Sequence, residues 1–380
     1  MIVGMTELIL LAALGLQAQE SGKAATPASA PAATSPQAQA MPPALPNPFQ
    51  PAPGDPHRDL RETHLREVKK LTQIGSNAEA YWSWDGKKIV FQSTREGRDC
   101  DQIYVMNADG SDQHLASTGK GRTTCGFFMP GDKKIIFAST HEAGADCPPS
   151  PPFTPGTYRW PVFPGYDLYT AKPDGSDVKP LLAHPGYDAE ATVAPNGKWI
   201  VFTSERSGDI DLWRADINGR NLKRLTDAVG YDGGAVWSPD SKLIAWRTNY
   251  PKGDAATTKY RELLKQHLVE PMEMDIWVMN SDGTGKRQLT HLLGAAFAPV
   301  FSPDGKAVVF ASNWEDREGK GRNFELYKMS LDGAGLERLT YTGNFNSFPH
   351  FSADGKKLLW VSGREASAPR QFNVFVAEYR

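Results

Sequence analysis

The sequence predicts an all-β fold: a six-bladed β-propeller with four antiparallel strands in each blade. Three observations predict it. A six-residue motif recurs along the chain, a short apolar and β-branched run follows the copies, and the 380 residues include 35 Gly and 29 Pro. Successive copies lie between 44 residues (Asn196 to Asp240) and 64 residues (Asp240 to Asp304) apart. Recurrence on this scale is typical of propellers and solenoids.

The motif is predicted to form a tight hairpin. In FSPDGK at 301–306, Pro303 presets the first corner of a type I turn and Asp304 suits the second. Gly305 can adopt the left-handed conformation that a following bulge needs. The six copies are WSWDGK at 82–87, FMPGDK at 128–133, VAPNGK at 193–198, WSPDSK at 237–242, FSPDGK at 301–306 and FSADGK at 351–356.

After each hairpin the chain carries further elements in a regular order. A polar loop leads to an acid and an aromatic strand, then to a second turn and a last short strand. One such sheet cannot bury both faces alone, so the units must pack around an axis. We expect the recurrent acids to be structural and to bond the adjacent loop or an S-x-R arginine such as Arg95 or Arg206. These acids are Asp101, Asp167, Asp211, Asp275 and Glu325.

The six units, from about residue 64 to 380, resemble the β-propeller repeats of the TolB family. The resemblance implies the fold much more than an activity, because propellers carry many functions. The segment before the propeller does not resemble the small α/β domain that precedes the propeller in TolB. No role in the Tol-Pal envelope machinery is therefore assigned.

The two ends of the repeat region complete each other. Residues 64–72 match the end of a repeat that nothing precedes, and 372–380 match a third strand that nothing follows. We expect the N-terminal strand to supply the fourth strand of the last blade, which closes the ring and removes open sheet edges.

Composition and residue patterns also predict the nature of the segment before the propeller and the location of the protein. The apolar run at 8–16 favours a secretory signal peptide over residues 1–18, and the Ala- and Pro-rich stretch at 19–57 is typical of a disordered tether. The propeller is expected over 58–380, in the periplasm or outside the cell. No stretch approaches the length of a membrane span, and a net charge of −2 gives no indication of nucleic acid as a partner.

Two insertions, at 141–165 and 250–273, interrupt the repeat between the second and third strands of blades two and four. Both should emerge at one end of the propeller, which we call the top face, and residues 258–270 have helical apolar spacing. Long loops on one face of a repeat protein commonly carry binding.

The three cysteines suggest one disulfide bond and one remaining thiol in an exported chain. Pairing of Cys125 with Cys147 would staple the first insertion and is the preferred candidate, while Cys100 with Cys125 would link neighbouring blades. Three unpaired thiols remain the alternative. A zinc site is disfavoured because the short C-x-x-C spacing is absent.

No catalytic motif of the common hydrolase, nucleotide-binding or zinc-peptidase types occurs in the sequence, so no catalytic residue is assigned. Residues just before the inner strands should instead ring the top mouth of the central channel, either as a binding site or as a solvated rim. We place the site between blades two and four. The predicted ligand-binding residues are Glu79, Arg122, His141, Tyr187, Asp188, Glu190, Tyr231 and Asp232.

The sequence favours a monomeric, non-catalytic binding module, without cofactor, that recognises a protein, peptide or glycan of the cell envelope through its top face. The alternative is a metal-assisted lyase or hydrolase acting on a carbohydrate or peptide. Some propeller lyases that act on oligogalacturonate resemble this repeat type and hold a divalent metal on histidines. The histidines that would serve here are His141, His184, His291 and His350.

Overall fold

A computed structural model describes residues 49–151, 157–316, 323–368 and 371–380. Within these residues, six four-stranded antiparallel sheets follow one another along the chain and form six blades. The predicted fold class is confirmed. The predicted signal peptide and the first part of the tether, up to residue 48, lie outside the described residues.

In each blade the first strand is innermost and lines the channel. Blade one contains β4 (Ser76–Trp82), β5 (Lys88–Thr94), β6 (Gln102–Asn107) and β7 (His114–Leu115); blade two contains β8 (Thr123–Phe128), β9 (Ile135–Ser139), β11 (Asp167–Ala171) and β12 (Lys179–Leu182); blade three contains β13 (Asp188–Val193), β14 (Trp199–Ser204), β15 (Asp211–Asp216) and β16 (Lys223–Arg224).

The remaining blades follow the same plan. Blade four contains β17 (Tyr231–Trp237), β18 (Leu243–Asn249), β20 (Asp275–Asn280) and β21 (Arg287–Gln288); blade five contains β22 (Ala296–Phe301), β23 (Ala307–Ser312), β24 (Glu325–Ser330) and β25 (Glu337–Arg338); blade six contains β26 (Asn346–Phe351), β27 (Lys357–Ser362), β28 (Asn373–Tyr379) and β3 (Leu65–Lys70).

The ring closes as the sequence predicts. Strand β3 pairs antiparallel with β28, with Leu65 opposite Tyr379 and Lys70 opposite Phe375. Leu65 and Val68 are buried in the largest hydrophobic cluster, which joins blade six to its neighbours. A small hairpin of β1 (Pro51–Ala52) and β2 (Asp55–Asp59) precedes β3.

The recurring motif forms the predicted turn. In blade five, Asp304 Oδ1 accepts hydrogen bonds from the Ser302 hydroxyl at 2.6 Å and the Lys306 backbone N–H at 3.1 Å. Gly305 has a φ of 69° and donates its N–H to the Ser302 carbonyl at 2.8 Å. In blade five, the Asp and Gly of the motif therefore fix the turn that starts the second strand.

The recurrent acids bond neighbouring loops and strands, and their partners match the expected ones only in part. Asp167 accepts the backbone N–H of His184, in the adjacent loop, at 3.0 Å, as expected. Asp211 pairs with Arg224 at 2.8 Å and accepts from the Thr226 hydroxyl at 3.2 Å, so it holds the short fourth strand. Arg206, an expected partner of such an acid, instead donates to Asp188 at 2.7 Å.

A bulge occurs at the same point in every inner strand and determines what faces the channel. The register of each inner strand shifts there, and one residue has a φ between 45° and 58°. A bulge re-aims the side chain that occupies it, and all six of these residues line the channel. They are Glu79, Cys125, Glu190, Gly234, Ala298 and Phe348.

The two insertions contact each other. Strand β10 (Trp160–Pro161) of the first pairs antiparallel with β19 (Leu268–Val269) of the second. The predicted helix is present as α1 (Asp254–Leu264), but it ends before Leu268, which the pairing draws into a strand. No helix in the described part of the chain is long and apolar enough to cross a membrane.

Candidate functional site

A cavity lies at the top of the channel where the insertions meet. Tyr158, Trp160, Pro161 and Phe163 of the first insertion and Pro271 of the second form part of its wall. The prediction that both insertions decorate one face is therefore confirmed, and this face carries a concave site.

The disulfide differs from the predicted one. Cys100 is bonded to Cys147, with their Cα atoms 5.9 Å apart, and Cys125 is a buried free thiol. The predicted pairing of Cys125 with Cys147 is wrong because Cys125 occupies the bulge of its strand and is turned into the channel. The bond ties the first insertion to blade one.

A buried polar network forms part of the cavity wall. Arg247, 7% exposed, is ion-paired with Glu190 and donates to the Tyr231 hydroxyl at 2.8 Å. The Glu190 carboxylate also accepts from the Thr203 hydroxyl at 2.8 Å and the Gly234 N–H at 2.9 Å. Despite its burial, neighbouring Glu190 holds the pKa of Arg247 well above its usual value. The two side chains therefore form a charged, hydrogen-bonded pair, in which the buried Nε of Arg247 has no hydrogen-bond partner among the described residues.

Arg247 also contacts aromatic rings. Its guanidinium lies 5.3 Å from the ring centre of Trp160 and 5.6 Å from that of Tyr231. Trp160 belongs to the first insertion, so this cation–π contact links the insertion to blade four. The insertion is thereby positioned over the channel.

Glu79 is the second carboxylate of the wall, and its environment differs. It is 4% exposed and lines both the cavity and the channel below. Burial raises its pKa to about 7, against a lowering influence of the Cys125 thiol, while Glu190 raises the pKa further. No ion pair to Glu79 occurs among the described residues. Glu79 is therefore near its midpoint of ionisation at neutral pH.

Aromatic side chains make up most of the remaining wall. Tyr166 and Tyr187 pack edge to face, with ring centres 5.8 Å apart, and Phe297 packs in the same manner on Phe324 at 5.1 Å. The Tyr166 hydroxyl is buried and has no hydrogen-bond partner among the residues that the structure describes. The wall therefore suits an apolar or cationic group and offers the Tyr166 hydroxyl to it.

Five of the eight predicted binding residues line the cavity, and three do not. Glu79, Arg122, Tyr187, Glu190 and Tyr231 belong to the wall. Arg122 is also ion-paired with Asp101 at 3.3 Å and lies 5.6 Å from the Phe163 ring centre.

Asp188 and Asp232 are buried within their blades. Asp188 pairs with Arg206 at 2.7 Å, and Asp232 accepts from the indole N–H of Trp246 at 2.6 Å. Consecutive strand residues point to opposite faces, so neighbours of Tyr187 and Tyr231 cannot share their direction. Burial raises the pKa of Asp232 to about 7, although hydrogen bonds lower it.

His141 does not reach the cavity. Its ring packs on Tyr169 with centres 4.3 Å apart, and its Nδ1 lies 2.7 Å from the Ser139 hydroxyl. His350 lines the lower channel and accepts the Trp82 backbone N–H at 3.1 Å. Among the described residues, no three His, Cys, Asp or Glu side chains come together as metal ligands would.

Sequence reasoning missed Arg247. A signal was present: the second strand of blade four reads LIAWRT, with Arg at the position where blade five has Ala311 and blade three has Thr203. A charged residue inside an otherwise apolar strand indicates a buried partner. The cavity residues Phe297, Phe324 and Phe348 gave no comparable signal, since apolar residues are expected in any inner strand.

Comparison with known proteins agrees with the fold. Residues 262–378 match the family model of the TolB beta propeller domain. The chain is thus a six-bladed propeller built from TolB-like repeats, and the predicted resemblance is confirmed. No match was found among curated protein sequences.

Three solved structures illustrate the likeness. TolB from Acinetobacter baumannii shares 21% identity at a TM-score of 0.53, over 74% of this chain and 59% of that one. A protein described as TolB from Agrobacterium tumefaciens shares 18% identity at a TM-score of 0.53, over 82% and 97%. A gluconolactonase from Xanthomonas campestris shares 13% identity at a TM-score of 0.54, over 90% and 99%.

This chain therefore spans 59% of the length of the Acinetobacter protein. At these identities the likeness shows the fold alone. Binding proteins and enzymes share this architecture, so function has to be argued from the site.

Proposed function

We propose that this protein is an exported binding module that holds a segment of a peptide or protein in the top-face cavity. The observation that carries the proposal is the joint wall made by the two insertions and the inner strands. A concave, mostly aromatic site with a few placed polar groups is typical of ligand recognition. A glycan is less well suited, because the many hydroxyls of a sugar need more polar partners than this wall offers.

Two observations support export. The apolar run at 8–16 is typical of a secretory signal, and the Cys100–Cys147 bond is of a kind that persists in oxidising compartments. The competing hypothesis of a metal-assisted lyase or hydrolase lacks a cluster of metal ligands among the described residues. No observation at the site favours it.

Capture of partners from a cell-envelope extract tests the proposal. Trp160→Ala should lower the amount of specifically captured partner by about tenfold or more, because central aromatic anchors commonly dominate binding energy. Trp84→Ala is the matched control, since Trp84 is also partly exposed but lines the opposite opening of the channel. Equal capture by wild type and Trp160→Ala, with loss in Trp84→Ala, would contradict the proposal.

A further inference from the structure

We propose that the cavity recognises a hydrogen-bond-donating organic cation, the ammonium of a lysine or the guanidinium of an arginine on the bound peptide, through Glu79 and the aromatic wall. This inference rests on the proposed function and specifies the ligand. Three observations support it: the pairing of the charged side chains in the wall, the hydrogen-bonding atoms there that remain available to a ligand, and the aromatic rings around those atoms.

The charged side chains of the wall are unequally paired. Four charged side chains line the cavity: Glu79, Arg122, Glu190 and Arg247. Arg247 is paired with Glu190, and Arg122 is paired with Asp101. Within the described chain, Glu79 has no such partner. A buried carboxylate is costly unless a cation or several donors compensate it, so the cavity is one positive charge short.

The carboxylate oxygens of the two wall glutamates also differ in how many hydrogen bonds they already accept. Both oxygens of Glu190 already accept hydrogen bonds, from Arg247 and Tyr231 and, at Oε2, also from Thr203 and Gly234. The bulge turns Glu79 towards the channel, with a φ of 45°. The carboxylate that remains to accept N–H groups from a ligand is that of Glu79.

Two further features suit a cation. The Tyr166 side chain is 3% exposed and its hydroxyl has no hydrogen-bond partner in the described part of the chain, so its oxygen can accept an N–H. Tyr187, Phe297 and Phe348 present rings to the same cavity. Aromatic faces attract ammonium and guanidinium groups, and more strongly where water is excluded.

Binding should depend on pH with a definite sign. The groups that face Glu79 are Cys125, Tyr81, Glu190, Arg247 and Asp101. Burial raises the pKa of the Cys125 thiol and of the Tyr81 hydroxyl well above their usual values, so both stay neutral. The pKa of Glu79 is about 7, and a cation favours its ionised form. Protons therefore compete with the cation, and affinity should fall as pH drops through about 7, by up to about tenfold per unit.

The probes are fluorescent pentapeptides, acetyl-Gly-Gly-X-Gly-Gly-amide with X as lysine, arginine or norleucine, titrated into the full-length protein and followed by anisotropy. Wild type should bind the lysine or arginine peptide at least about tenfold more tightly than the norleucine peptide. Glu79→Gln should remove this preference and its pH dependence. Glu142→Gln, at an exposed acid outside the cavity wall, should retain both.

Folding of the variant can be checked independently. Because the folded-state pKa of Glu79 is about 7 and lies above its ordinary value of 4.5, ionisation destabilises the native state as pH rises between these two values, and the loss is complete above about 7. Glu79→Gln should therefore unfold at no lower a temperature than wild type at pH 8. A loss of binding in this variant would then not arise from unfolding.

The outcomes separate this inference from the proposed function. Equal binding of all three peptides, sensitive to Trp160→Ala, would overturn the cation inference and leave the binding module standing. Retained preference in Glu79→Gln, or absence of binding by either cationic peptide, would also overturn it. Failure of the envelope capture at Trp160 would instead count against the proposed function.

Discussion

Replacing Arg247 with methionine should lower the free energy of unfolding by about 3–5 kcal/mol at pH 7, because it leaves Glu190 buried without its cation. Arg247 is 7% exposed, pairs with Glu190 and packs against Trp160. The loss should be measured by urea denaturation, with the slope of the transition checked for constancy.

A second variant distinguishes the buried charge from lost packing. Adding Glu190→Gln to Arg247→Met removes the unpaired charge and should recover a large part of the stability. Arg214→Met is the control, because Arg214 also lies over a tryptophan, Trp199 at 4.4 Å, but is only partly buried and has no ion pair among the described residues. A double variant no more stable than Arg247→Met would contradict the description of this network.

Val68→Asp should destabilise the protein by about 4 kcal/mol or more, since it places a carboxylate in a hydrophobic cluster. Val68 lies on β3, is 3% exposed and belongs to the cluster that joins blade six to its neighbours. The measurement is the shift in the chemical denaturation midpoint. This loss of stability is expected because β3 closes the ring and thereby buries Val68.

Lys69→Asp provides the control on the same strand. Lys69 is exposed and pairs with Val376 through its backbone alone. The same carboxylate one residue further along should change stability by no more than about 0.5 kcal/mol. Similar losses in both variants, or none in either, would show that β3 does not close the propeller as described.

The repeat and the ring were predictable because each depends on local residues. Pro303, Asp304 and Gly305 specify a turn without help from the rest of the chain, and six copies specify the architecture. The orphan strand at 64–72 and the incomplete sheet at 372–380 similarly specified their own pairing.

The site was predictable only in part, because side-chain direction depends on the bulge and on alternation. The sequence predicts that Glu79, Glu190, Asp188 and Asp232 all line the mouth of the channel. In the structure Glu79 and Glu190 do so, whereas Asp188 and Asp232 precede the bulge and face the other way. A bulge in every inner strand changes which positions share a face, and the sequence does not indicate where that bulge lies.

The disulfide bond and the contacts of Arg247 join residues that are far apart in the sequence. The pairing of Cys100 with Cys147 is decided by how a long insertion folds back on blade one. The contact of Arg247 with Trp160 joins a strand of blade four to an insertion of blade two. The number of residues between Cys100 and Cys147, or between Trp160 and Arg247, does not indicate how close these side chains lie in the fold.

Photo-crosslinking tests most directly whether the ligand enters the cavity where the insertions meet. A photoreactive phenylalanine analogue at Phe163, in the cavity wall, is compared with one at Phe127, which is also partly exposed but lines the opposite opening. In envelope extracts, we expect position 163 to give a discrete crosslinked partner and position 127 to give none. The same partner crosslinked from position 127 alone would contradict it.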